Sequence, residues 1–159
     1  MAPSTYFQDA IRQTRPFGSA AQEGVIGLLR TADVVRRAFQ AVVEPHGITA
    51  AQYNVLRVLR GAGPDGLPTL AIAERLIEES PGITRMLDRL QAKGLIRRER
   101  GLEDRRLVRC RLTERGRALL AELDPLVVSA DDDILKALGP RQQRQLVKLL
   151  ETVCRRLEG

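Results

Sequence analysis

Apolar residues recur near the start of the chain at alternating steps of four and three: Ala21, Val25, Leu28, Ala32, Val35, Phe39 and Val42. Three heptad-like repeats predict one long helix from Ser19 to Glu44, packed on another helix at a shallow angle. Pro45 and Gly47 should stop it. The stretch Ile48-Thr49-Ala50-Ala51-Gln52-Tyr53 reads as a new helix start. Thr49 is placed to accept from the backbone N–H three residues on, Gln52 to reach back, and Ile48 to staple onto Tyr53. That helix continues through Val55, Leu56 and Leu59, and a Gly/Pro-rich loop from Gly61 to Pro68 follows it. A short helix from Thr69 carries Leu70, Ala73 and Leu76. Ser80 is then a good N-cap and Pro81 a good first helical residue for a helix whose Ile83, Leu87 and Leu90 share one face and which Gly94 ends.

Beyond Gly94 the period changes from 3.6 to two. Ile96 to Arg100 and Leu107 to Leu112 read as strands, with Val108, Cys110 and Leu112 on one side of the second and Leu107, Arg109 and Arg111 on the other. Gly101-Leu102-Glu103-Asp104-Arg105-Arg106 supplies the polar turn of a hairpin that is basic at its tip and along one face. A helix capped by Thr113 follows, carrying Leu119, Leu120 and Leu123, with a kink expected at Pro125. The last helix opens at Pro140 and shows Leu146, Leu150, Val153 and Leu157 at heptad spacing. The expected fold class is therefore mainly α (α+β): a winged helix-turn-helix between long terminal helices. Internal repeats and low-complexity tracts are absent.

Charge sharpens this outline. The 159-residue chain carries a formal net charge of +6, and the twelve Lys and Arg against five Asp and Glu between Arg85 and Arg117 leave the remainder close to neutral. A neutral body with one basic segment is the footprint of a protein that meets a polyanion with one face. No Trp, two Tyr and three Phe mean an aliphatic core, which suits packed helices. Residues 1–18 are polar and broken by Pro3 and Pro16, so they are expected to form a flexible arm and lack the apolar centre of a signal peptide. No run approaches the roughly 20 apolar residues that span a bilayer, so the expected location is the cytoplasm and no membrane partner is expected. Two Cys and one His make neither a zinc site nor a disulfide framework. No metal, no cofactor and no catalytic constellation of nucleophile with acid or base is expected.

Two helices followed by a basic hairpin can place one helix in the major groove of double-stranded DNA while the hairpin reaches the adjacent minor groove or backbone. The groove-facing side of the second helix is expected to carry Gly82, Arg85 and Arg89, with Thr84 adding a hydroxyl or methyl contact. Gly82 permits close approach, and the two Arg, one turn apart, point the same way. Each of them either forks onto the O6 and N7 of guanine or pairs with a phosphate. Glu78 and Glu79, just ahead of this helix, complement its dipole yet would repel a phosphate.

Three runs of the chain together resemble the MarR (multiple-antibiotic-resistance regulator) family. These are Gly47-Ile48-Thr49-Ala50-Ala51-Gln52-Tyr53-Asn54-Val55-Leu56, then Ser80-Pro81-Gly82-Ile83-Thr84-Arg85-Met86-Leu87-Asp88-Arg89-Leu90 through Ile96, then Asp104-Arg105-Arg106 with Leu112-Thr113-Glu114-Arg115-Gly116. The likeness spans roughly Ala20 to Leu157, and the wing motif, Asp then two Arg, is its most specific part. The resemblance implies a homodimeric DNA-binding regulator, a repressor acting on a near-palindromic operator, with its dimer interface made by the first and last helices. Within the expected single domain at 19–159, residues 19–46 and 114–159 would dimerise and 48–113 would read DNA. Ser80 and Pro81 would join Gly82, Thr84, Arg85 and Arg89 at the DNA. The resemblance further implies that Arg106 enters the minor groove, that Asp104 orients the wing and that Arg105 touches the backbone. A narrow minor groove concentrates negative potential and attracts Arg, in agreement.

The outer stripes argue for a dimer independently, because heptad stripes at both ends of one chain want partners. The resemblance also implies response to a small aromatic or phenolic effector, for which Phe39, His46, Tyr53 and Arg57 are the candidates. The alternatives are a thiol-based redox regulator, using Cys110 or Cys154, and a winged helix that binds only protein. Alternation turns Cys110 away from Arg109 and Arg111, so buried, inert thiols are expected.

Overall fold

The computed structural model describes residues 5–77, 82–100 and 108–159. It divides into two compact units, one ending at Ala50 and one running from Ala51 to Gly159.

In the first unit, Ser19 opens the long helix: its Oγ accepts from the Gln22 N–H at 3.1 Å, and the Gln22 side chain accepts from the Gly18 N–H at 2.8 Å. The resulting helix (α2, Ala20–Val43) runs into a single 3₁₀ turn at Glu44–His46, where Gly47 at φ 75° turns the chain. The apolar spacing and the Pro45/Gly47 stop are thus both realised. Within α2 only Gly27 and Val43 are buried, while Val25 and Leu28 of the stripe stay exposed and Val35, Phe39 and Val42 half-buried. The expected arm holds a further element, the one-turn helix α1 (Tyr6–Ala10), capped by Thr5. Its Phe7 ring lies so close to Gly27 that a Cβ there would sit 2.8 Å from it. Helical periodicity in a five-residue segment is invisible to sequence, and the seat for Phe7 lies twenty residues away.

In the second unit, α3 (Ala50–Gly61) buries Gln52, Tyr53, Val55, Leu56 and Leu59. The Gly/Pro loop then contains a two-residue strand, β1 (Leu67–Pro68), that the sequence reading missed. Gly66 makes it possible: its φ of 62° with ψ of −171° is open only to glycine, and a Cβ would run into the Cys110 carbonyl. The short helix α4 (Thr69–Ala73) buries Ile72 and leaves Leu70 72% exposed, so the expected apolar face there is corrected. In α5 (Ile83–Ala92), Leu87 and Leu90 are buried. This helix ends as Gly94 suggests. Gly94 takes φ 68°, its N–H donates to Gln91 O at 2.8 Å, and the Leu95 N–H donates to Leu90 O at 3.0 Å, closing a Schellman turn over two buried leucines.

Strands β2 (Ile96–Arg100) and β3 (Val108–Leu112) pair antiparallel, and β1 joins the other edge of β3, giving the order β1-β3-β2. The register sets Ile96 opposite Leu112 and Arg98 opposite Cys110, with Leu67 opposite Cys110 on the other edge. Alternation holds over most of β3, with Cys110 and Leu112 buried and Arg109 and Arg111 half-exposed, but Val108, expected on the side of Cys110, is 39% exposed. The next helix, α6 (Glu114–Leu135), is continuous through Pro125 and buries Leu120, Leu123 and Val127. Gln143 of α7 (Pro140–Glu158) ties the two helices by donating to the carbonyls of Leu135 and Leu138 at 3.3 and 3.0 Å. No residue of α7 is buried.

Candidate nucleic-acid interface

Helix α5 is held from below by its apolar face and from one flank by the sheet. Leu87 and Leu90 sink into the core, and Ile83 and Met86 are half-buried beside them. Burial of that side leaves Thr84, Arg85 and Arg89 exposed. Arg85 and Arg89 lie one turn apart, so their guanidinium groups leave the helix in the same direction. Among the described residues neither has an ion-pair partner, whereas the neighbouring Asp88 is paired with Arg98 of β2 at 2.6 Å. The one acidic group of α5 is thereby neutralised, while no described residue neutralises its two outward cations. The space over Gly82 is open as well, since a Cβ there would meet no described atom within 4 Å.

The wing contributes a second charged surface. On its half-exposed face, Glu99 sits between Arg97 at 2.9 Å and Arg111 at 3.3 Å, and Arg109 donates to the Gly66 carbonyl at 3.3 Å. One carboxylate among three guanidinium groups leaves this face positive. Its base is fixed by Thr113, whose hydroxyl donates to Gly94 O at 2.7 Å and accepts from the Gly116 N–H at 3.0 Å. The same residue's N–H donates to Leu95 O at 3.1 Å. Gly116 is required there, because a Cβ would collide with the Leu95 carbonyl. The run Leu112-Thr113-Glu114-Arg115-Gly116 is therefore the joint that locks strand β3 and helix α6 to the end of α5.

Of the sequence-derived DNA residues, Gly82, Thr84, Arg85 and Arg89 come together at the N-terminal half and outer side of α5. Ser80, Pro81, Asp104, Arg105 and Arg106, together with Glu78 and Glu79, lie outside the described residues. Arg98 was not singled out from sequence, although its even-numbered register with Cys110 was there to be read.

The effector candidates fall in different units. Phe39 and His46 are half-buried in the first. In the second, Tyr53 is buried with the Arg57 guanidinium 5.9 Å from its ring centroid. Burial raises the Tyr53 phenol above its ordinary value, and the Arg57 charge partly opposes this. A bridge of Arg60 to Asp124 at 2.6 Å joins α3 to α6 nearby. Cys110 is fully buried and its thiol is pushed up by desolvation, with Arg98 pulling the other way, which is the reverse of what a reactive thiol needs. Cys154 is exposed, against the expectation of a buried thiol, because the face of α7 that carries it has no cover. Among the described residues there is no cluster suited to a metal ion, and no helix is long and apolar enough to cross a membrane.

Known proteins match this outline along most of its length. A family model described as "MarR family" matches residues 48–108, from two residues ahead of α3 to the first residue of β3. The uncharacterized HTH-type transcriptional regulator YkoM of Bacillus subtilis is 31% identical over 125 residues, covering 74% of this chain and 80% of that protein. Among solved structures, a MarR transcription factor from Planctomyces limnophilus is 36% identical with a TM-score of 0.66, over 86% of this chain and 99% of that one. A mutant MarR from E. coli complexed with operator DNA is 27% identical with a TM-score of 0.73, over 94% and 99% of the two chains. With helix α5, its three-stranded wing and a likeness that runs through both, the chain belongs to the MarR family of winged-helix, DNA-binding transcriptional regulators.

Proposed function

We propose that this regulator is a repressor that binds a near-palindromic operator as a homodimer, reading each half-site with α5 and the wing. The observation that carries the reading is the pair of exposed guanidinium groups of Arg85 and Arg89, unbridged among the described residues, on the side of α5 opposite its buried leucines. An exposed Arg at that place can fork onto guanine O6 and N7 in the major groove. Arg106, with Asp104 and Arg105 preceding it in the sequence, supplies the minor-groove contact, where the negative potential is deepest. Ser80 and Pro81, which precede α5 in the sequence, join it at the DNA, and Gly82, the N-cap of α5, lets the backbone approach the duplex.

The uncovered apolar positions of α7, together with the exposed part of the α2 stripe, support dimerisation through the terminal helices. A two-fold pair sets its reading helices about one DNA turn, ~34 Å, apart, and a symmetric protein calls for a symmetric site.

The test is binding to double-stranded DNA across a salt series, using duplexes selected from the host genome. Affinity should fall with salt by a log–log slope near −0.9 per phosphate neutralised. Arg106→Ala should weaken binding, and Arg85→Ala should also relax sequence preference, each by about 1–3 kcal/mol where a base contact is lost. Unchanged affinity and preference in both variants would remove these residues from the reading surface.

A further inference from the structure

Arg98 stands where the fold calls for a hydrophobe. Partners in an antiparallel pair project to the same side of a sheet. Cys110, opposite Arg98, is buried, as are Ile96 and Leu112, the neighbouring pair on that face. Arg98 thus enters the inward face of the wing, where its side chain is only 23% exposed and its Nε is buried with no hydrogen-bond partner among the described residues. Placing a guanidinium there costs more desolvation than placing a leucine, and its ion pair only partly offsets that cost.

What the arrangement gains is geometry. Nη1 donates to Asp88 Oδ1 at 2.6 Å and Nη2 donates to the Thr84 carbonyl at 3.2 Å. Thr84 and Asp88 are one turn apart on a single flank of α5, each immediately preceding one of the two outward arginines, Arg85 and Arg89. One side chain from the wing therefore grips the reading helix at two successive turns. The apolar contacts of Leu87 and Leu90, with Ile83 and Met86 half-buried beside them, are non-directional and set the roll of the helix only loosely, and each Arg head would swing with it. A two-point polar grip, being directional, removes that freedom.

We propose that Arg98 is the positioning residue of the DNA-reading surface: through Asp88 and the Thr84 carbonyl it fixes the rotation of α5 against the wing, so that Arg85 and Arg89 meet the groove together. It acts through the helix and does not itself touch DNA. The same contact accounts for Asp88, whose carboxylate is held by Arg98 and so is not offered to a base. The proposal rests on the DNA-reading function above.

The experiment compares wild type, Arg98→Met, Arg98→Lys, Asp88→Asn and the double variant Arg98→Met with Asp88→Asn. Each is titrated against the duplex that the wild type selects from a random pool and against a shuffled duplex of the same length and composition, across a salt series, with thermal unfolding measured alongside. Methionine keeps the inward position filled, so the fold should persist at the assay temperature. Arg98→Met should lower affinity for the selected duplex by about tenfold or more, a loss typical of coupled neighbours, while binding to the shuffled duplex and the salt slope stay as in wild type. Arg98→Lys should recover part of the loss by restoring one of the two contacts. Asp88→Asn removes a charge and shifts both duplexes alike, so its effect is read in their ratio, which should also fall. The double variant should lose no more specificity than the worse single one.

An equal loss on both duplexes, with the salt slope reduced by ~0.9, would make Arg98 a phosphate contact and overturn the proposal. So would a lowered melting temperature with an unchanged ratio, which marks a packing role, or strictly additive losses in the double variant. Failure of the underlying reading shows separately, as a wild type that selects no sequence and binds no duplex in a salt-dependent way.

Discussion

Helices α5 and α7 belong to the same unit and are both strongly amphipathic, yet they treat their apolar faces in opposite ways. Helix α5 spans 10 residues, buries Leu87 and Leu90, and is tied by Arg98 on its flank and by a Schellman turn at its end. Helix α7 spans 19 residues and buries none: Leu146 is half-buried, and the exposed leucines and valines run from 39% at Leu150 to 80% at Leu157. The first has finished its packing within the chain and presents cations. The second presents leucines and valines that stay exposed among the described residues, and apolar surface of that kind marks a place for another protein surface. In the proposed function the contrast is between α5 as a reading element, whose orientation must be exact, and α7 as a pairing element, whose burial comes from a second chain.

The comparison breaks most visibly at α7. Replacing Leu150 and Val153 together by Glu should leave the second unit folded, since neither is buried, but should convert a dimer to single chains in sedimentation. Operator affinity should then fall by about 10²-fold or more, as two tethered reading heads become one. A double variant that stays dimeric and binds as before would show that α7 is not the pairing surface.

A smaller effect is expected where α5 is anchored. Gly116→Ala forces a methyl group against the Leu95 carbonyl just beyond the end of α5, and such overpacking costs about 1–3 kcal/mol. Thermal or denaturant unfolding would measure it, with an unchanged midpoint counting against the tight joint.

The smallest effect concerns Cys110, buried under the wing with its thiol raised by desolvation. A raised acid keeps its proton in the fold, so its stabilising contribution is complete below the ordinary thiol value and is lost as pH climbs toward the folded one. Between about pH 8 and 10, wild type should therefore lose more stability than Cys110→Ala does, a difference read from the slopes of two unfolding series. Parallel slopes would show that the thiol does not titrate with folding.

Much of this architecture was legible in the one-dimensional pattern. The stripe of α2, the Pro45/Gly47 stop, the Thr113 cap and the switch to period two at Ile96 each mark an element from its own residues. The exposed pair of Arg85 and Arg89 followed from helical spacing against Leu87 and Leu90. The exceptions share one physical feature. Strand β1 exists only because Gly66 lets Leu67 reach Cys110, more than forty residues on. Helix α1 depends on Phe7 finding Gly27. At α4 the period was too short to choose between Leu70 and Ile72, and burial by distant elements chose Ile72.

Local spacing and capping chemistry therefore determined which segments are helix, which are strand and where the positive charge lies, because those properties depend on residues within a turn or two of each other. Only the tertiary structure decided that Gly116 must be glycine, that Asp88 is matched by Arg98 and that α7 goes unburied. These depend on which surfaces meet across long separations in the chain, and a contact between two segments is a property of neither one alone.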